Sequence, residues 1–457
     1  MRTNVDQPAK SQQMQPPPSD VSPWTGLVGL VGFALAFFVA FVLQKGLHPA
    51  LRSIEMLSIT GLFMIVFELI RLKNYPLLFQ IIKGRLDKEI HVWSARDILM
   101  RLLGALITFT PFTIGYVVLK TIMPDRYAPF LIGILISIPI VLLFLAVHFL
   151  LTPSQKDVWW QLGMVVLRKQ KIKDIHEGAE HWRQWMLKAF FIPFMFGIVY
   201  GNLTILGRII DNFSFELPRV FLVLHMFIFA VDTVFGTAGY VLSFRITDSH
   251  IRSTQKSIFG WAVCLICYPP LLFVLFSIAD YQDSITWDKW LGTTGPLAWG
   301  WALAILLFET LYVWATVIFG LRFSNLTHRG IVTNGPYRYF KHPAYFAKNI
   351  AWWLVYIPFI PILSLGVALV NSAQLLFVNY IYYLRARTEE QHLMEDPRYR
   401  EYAAWIDEHG VLPSLRYTVA KSFAGRFAAR LSKPILIRIS NAHYKYVPWK
   451  HIFKKLL

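Results

Sequence analysis

Long apolar runs broken by short polar loops repeat along most of this 457-residue chain. Roughly 20 apolar residues in a row is the length at which a helix crosses the hydrocarbon core of a bilayer. Ten runs can be drawn, at about 24–44, 54–70, 100–119, 128–151, 189–207, 218–243, 257–279, 297–320, 349–369 and 371–385. The pattern predicts an all-α, polytopic integral membrane protein. The last two runs abut, so they read as a tight helical hairpin, with Pro358 and Pro361 kinking its first arm. Residues 1–23 are polar and proline-rich and read as a disordered tail. The first apolar run is long enough to stay in the membrane rather than be cleaved as a signal.

Composition agrees: 55% of residues are hydrophobic and only 16% charged, against about 25% charged in soluble domains. Mean hydropathy is +0.46. The net charge of +18 is not a nucleic-acid signature, because much of it sits in alternate loops. Lys and Arg number 6 in 71–97, 7 in 152–188, 3 in 244–256 and 5 in 321–348. The intervening loops 45–53, 120–127 and 208–219 hold 2 each, and 281–296 holds 1. Positive loops face the cytosol, so both termini are expected there, in a bacterial inner membrane or the endoplasmic reticulum. Residues 409–457 carry 10 Lys or Arg and no acid, interleaved with Phe423, Phe427, Leu431 and Trp449. Such a tail suits anionic lipid headgroups, or serves as ordinary positive-inside anchoring.

The chain divides into a tail (1–23), a five-helix region (24–215), a core (216–415) and the basic tail (416–457). In the five-helix region the loop 152–188, with Trp159, Trp160, Trp182 and Trp185, reads as an interfacial amphipathic helix pair. Glu55 and Glu68 lie near the ends of their span, within reach of water or Arg71, and read as structural. Cys264 and Cys267 read as small packing residues. Polar groups inside the bilayer are costly and point to function. They are Glu309, the pair His225 and Asp232 on one helical face, and Asn379, Tyr380 and Tyr383. Each could instead hold helices together by a hydrogen bond. A permeation path through Glu309, Asp232 and His225 would make this a transporter or other non-catalytic membrane protein, although inverted repeats are not evident. The segment 247–254, with His250 and Arg252, could receive a polar headgroup or form a solvated, Ser/Thr-capped helix start.

The densest chemistry lies between Thr333 and Trp405. Gly335-Pro336-Tyr337 makes a turn, and Lys341-His342-Pro343 opens the hairpin. Pro343 suits a first helical turn, whose free N–H groups, with Arg338, Lys341 and His342, would receive an anion. Across the hairpin, Glu389 and Glu390 follow Arg385 and Arg387. Carboxylates there could accept from ribose hydroxyls or pair with an ammonium. A zwitterionic ligand with a sugar would satisfy both clusters. Positive-inside anchoring with incidental Glu pairing accounts for the same residues equally well.

These motifs resemble those of the isoprenylcysteine carboxyl methyltransferases and the related phospholipid N-methyltransferases. The resemblance rests on Gly335-Pro336-Tyr337, Lys341-His342-Pro343-Ala344-Tyr345, Arg387-Thr388-Glu389-Glu390, Tyr399 and Tyr402, and the ending Gly410-Val411-Leu412-Pro413, over about 320–415. Lys341 stands where that family usually has Arg, and Asp396-Pro397 where it often has Phe-Gly. The resemblance implies a helical-hairpin core holding S-adenosylmethionine through Gly335, Tyr337, Lys341, His342, Pro343, Tyr345, Arg387, Glu389 and Glu390. It implies methyl transfer to a lipid or lipid-linked acceptor bearing a carboxylate, amine or hydroxyl. Glu309 and Tyr383 are then candidate catalytic groups, and His225, Asp232, His250 and Arg252 candidate substrate contacts. Related membrane folds include nicotinamide-dependent sterol reductases, which leaves that chemistry as a further alternative.

Overall fold

The computed structural model describes residues 15–44, 46–74, 94–122, 157–167, 174–269 and 286–411, with isolated positions between. The expected span 128–151, nearly all of the basic tail and most of the N-terminal tail lie outside these residues. Twelve helices are described: α1 (Pro23–Phe38, continued by a π turn Val39–Leu43), α2 (Pro49–Arg71), α3 (Ala95–Ile122), α4 (Val158–Val166), α5 (Ile175–Asp211), α6 (Leu217–Val241), α7 (Ile258–Leu265), α8 (Trp287–Leu291), α9 (Pro296–Val317), α10 (Pro343–Tyr356), α11 (Leu365–Leu393) and α12 (Pro397–His409). A two-residue ribbon pairs β1 (Ser253–Thr254) antiparallel with β2 (Thr327–His328).

Proline sets many of the starts. α1, α2, α6, α9, α10 and α12 each carry Pro in their first two positions, where its missing N–H costs nothing. Ser22, Asp174, Ser364 and Asp396 add side-chain caps, each worth about 1 kcal/mol. Six helices are long and apolar enough to cross a membrane: Pro23–Leu43, α2, α5, α6, α9 and α11. Their outer faces expose large apolar side chains such as Leu27, Val31, Leu35, Leu303, Leu307, Leu369 and Leu376, as a lipid-facing surface requires. The protein is an all-helical, multi-pass membrane protein. Its central core joins α1 and α2 (Phe33, Met56, Met64) to α5 (Phe191, Phe196), α6 (Phe235) and α9 (Val313).

Several expectations need redrawing. The loop 152–188 contains α4 and then the first third of α5, so its second half is part of a membrane helix. Trp159 and Trp185 are buried and pack edge-to-face at 5.0 Å. Within 257–279, α7 ends at Leu265 and the chain turns over 266–269. The hairpin bends at 357–364, not near 370. Ile357 adopts a left-handed φ of 36°, and Pro358 and Pro361 end α10 instead of kinking it, because the residue before a proline disfavours helix. The apolar run conceals this break. Segment 247–254 is not a helix start: Thr247 and Ser249 are buried, Asp248, His250 and Arg252 are partly exposed, and the chain enters β1. Glu68 pairs with Arg71 at 2.6 Å, as its place in the sequence led one to expect, and accepts from Thr25 of α1.

Candidate functional site

A cleft of about 1070 Å³, counting its open mouth, lies where α9, the loop 320–342, α10, α11 and α12 meet. The loop owes its path to Gly335, at φ +57°, where a Cβ would stand 2.9 Å from Ile318. From there a tight turn carries the chain into His342 and the start of α10. Tyr337 packs edge-to-face on Phe319 at 5.2 Å. Helix α12 holds the loop from outside: Tyr402 donates to the Tyr337 carbonyl at 2.7 Å, the Val411 amide to Tyr339 at 2.9 Å, and Lys341 pairs with Asp407 at 2.8 Å.

The hairpin brings the two polar clusters together. The Tyr345 hydroxyl donates to Glu389 Oε2 at 2.7 Å, and His342 Nε2 meets Glu390 Oε1 at 2.9 Å. Arg387 also reaches Glu390, at 3.2 Å. The rings of His342 and Tyr345 stack 5.5 Å apart. Both oxygens of Glu390 thus have a partner. Glu389 lines the cleft, and among the described residues its Oε1 accepts no hydrogen bond.

Beneath this pair lies Arg385, whose guanidinium donates to Asn325 Oδ1 at 2.6 Å and to the Tyr268 hydroxyl at 2.9 Å. It also covers the ring of Tyr345 at 5.1 Å. Asn325 in turn bonds the Tyr240 hydroxyl at 2.7 Å. Further along the wall, the Lys348 ammonium sits among Tyr312, Trp352 and Tyr382 at 5.2–5.6 Å from their rings. Asp232 of α6 lies behind, accepting from Tyr312 at 2.9 Å and Thr316 at 2.6 Å, two residues of the cleft wall.

Electrostatics of the loop follow from burial. Burial and the neighbouring Arg322 push the Arg329 guanidinium down to about 9, which leaves it charged at neutral pH. It uses that charge on backbone carbonyls of Ser249, Gly239 and Phe323. Burial holds the Tyr337 phenol well above its usual range, so it stays protonated.

Of the residues singled out from the sequence, Tyr337, Lys341, His342, Tyr345 and Glu389 line the cleft. Gly335, Pro343, Arg387 and Glu390 border it through the turn, the helix start and the Glu390 pair. Glu309 pairs with His225 at 2.9 Å, and neither lines the cleft. Tyr383 is 57% exposed and stacks on Tyr380 on the outer face of α11. His250 approaches Asp248 at 3.7 Å, and Arg252 pairs with Asp248 and Asp20, outside the cleft. Sequence reasoning passed over Lys348, Asn325 and Tyr312. Lys348 was only one of the bases counted in 321–348, and Arg385 also read as a positive-inside anchor. The only available signal was that Glu309, Tyr312 and Thr316 share a helical face.

No curated protein and no solved structure matches the chain. Residues 301–395, from within α9 to just past α11, match the isoprenylcysteine carboxyl methyltransferase (ICMT) family.

Proposed function

We propose that this protein is a membrane methyltransferase that uses S-adenosylmethionine and acts on a lipid or lipid-linked acceptor at the cytosolic face. The observation that carries the reading is the joined pair Tyr345–Glu389 and His342–Glu390 at the cleft, inside the ICMT-matching stretch. The residues present fit such a group: an open carboxylate oxygen on Glu389 suits a ribose hydroxyl or an ammonium. The hydrophobic and aromatic walls suit an adenine. The loop charges support the cytosolic orientation.

S-adenosylmethionine, when bound, supplies an electrophilic methyl group. The chain's work is to align and dehydrate the acceptor. Glu389 holds the polar side of the cofactor, with Tyr345 fixing the carboxylate. His342 and Glu390 close the hairpin mouth. Arg385 sets the ring of Tyr345 from below. A carboxylate acceptor needs no base. For an amine or hydroxyl, Asp232 is joined to the cleft wall through Tyr312 and Thr316 and is the group we place in proton transfer.

The test is calorimetry on purified protein with S-adenosylmethionine and S-adenosylhomocysteine. Binding is expected in the wild type and lost on Glu389→Ala. No heat with either ligand, or a preference for reduced nicotinamide dinucleotide, overturns the reading.

A further inference from the structure

We propose that residues 17–22 form a strap that sets the cleft loop 329–334, and that Asp20 is a positioning residue for cofactor binding. The cofactor part rests on the methyltransferase reading above. The strap and the loop exchange bonds in both directions. The Asp20 amide donates to the Ile331 carbonyl at 2.8 Å, and the Ile331 amide donates to Asp20 Oδ2 at 2.7 Å. Thr333 donates to the Pro17 carbonyl at 2.6 Å and Asn334 to the Val21 carbonyl at 2.7 Å. Val21 is buried against Ile318 and Val332.

The Asp20 carboxylate also gathers two other parts of the fold. Its Oδ1 pairs with Arg398 of α12 at 2.8 Å, and its Oδ2 with Arg252 beside β1 at 3.3 Å. Its side chain is 11% exposed. Gly330, Ile331 and Val332 line the cleft directly. Gly330, at φ +115°, would place a Cβ 2.8 Å from Asp20 Oδ2, so carboxylate and loop are fitted to each other. Ser22 caps α1, which packs in the central core with α2 and α6. The strap therefore transmits the position of the first membrane helix to the cofactor loop, although the two lie far apart in sequence. Without the carboxylate, the Ile331 amide loses its partner, and the guanidiniums of Arg252 and Arg398 lose the anion between them.

The experiment uses full-length protein in nanodiscs. Hydrogen–deuterium exchange of the ligand-free protein and calorimetric affinity for S-adenosylhomocysteine are compared for wild type, Asp20→Ala, Asp20→Asn and the surface control Lys256→Ala. For Asp20→Ala, exchange should rise at 329–334 while α2, α5 and α6 keep their protection. Affinity should fall about tenfold or more. Asp20→Asn retains an acceptor for the Ile331 amide and should fall between, which keeps the test open if the alanine variant does not fold. Lys256→Ala should match wild type. Unchanged exchange at 329–334, or a rise spread evenly over the helices, overturns the strap. Loosened exchange with unchanged affinity overturns the positioning role. If wild type binds no ligand, the methyltransferase reading fails, and the exchange data alone decide the strap.

Discussion

Glu389 and Glu390 are neighbours in the chain with different environments. Glu390 is held by His342 and Arg387, whereas Glu389 keeps an oxygen toward the cleft. Glu389→Ala is expected to weaken S-adenosylhomocysteine binding at least about tenfold, since hydrogen bonds to charged groups are worth about 1.5–3 kcal/mol, with little change in thermal midpoint. Glu390→Ala should instead lower the midpoint, because it leaves His342 without its carboxylate. Gly335→Ala meets both a positive φ and Ile318. It should cost about 1–2 kcal/mol, read as a lower unfolding midpoint in detergent. The Gly335, His342, Tyr345 and Glu389 pattern was legible in the sequence because family motifs are local. Asp20 was not: a lone acid in a proline-rich segment carries no sign of its partners at 252, 331 and 398.

At the scale of elements, the α10–α11 hairpin decides whether the cleft exists. Deeper along α10 than Tyr345, Trp353 donates to Asn379 at 2.7 Å, Asn379 to Asn349 at 2.7 Å, and Asn349 to the Tyr345 carbonyl at 2.8 Å. This chain of hydrogen bonds ties both arms together. Asn379→Leu is expected to cost about 1 kcal/mol, the scale of interhelical hydrogen bonds in lipid, and to lower both the melting midpoint and ligand affinity. The hairpin itself was legible as two abutting apolar runs. Its bend was not, since residues 357–364 are as apolar as the helices they separate, and only Pro358, Pro361 and the left-handed Ile357 break them. Helicity to Leu393 was also hidden: Arg385 to His392 looks like a surface loop until the helix is seen to continue.

For the whole molecule, orientation can be measured directly. The native Cys264 and Cys267 are buried, so an introduced cysteine reports alone to an impermeant maleimide. Glu401→Cys on α12 should label only from the cytosolic side of oriented vesicles, and Thr293→Cys, between α8 and α9, only from the other. Reversed labelling would sink the proposed topology and put the cofactor cleft on the wrong side.

Membrane class, the places of six of the ten expected spans and the pairing of two polar clusters across a hairpin followed from the sequence by itself. Hydrophobic length, loop charge and motif spacing are properties of neighbouring residues, and the bilayer reads them locally. Which polar groups share a site was decided only by the tertiary structure. Asp232 reaches the cleft through Tyr312, Arg385 folds beneath Tyr345, and Asp20 holds Ile331. Those contacts depend on how helices cross, and no local pattern encodes that.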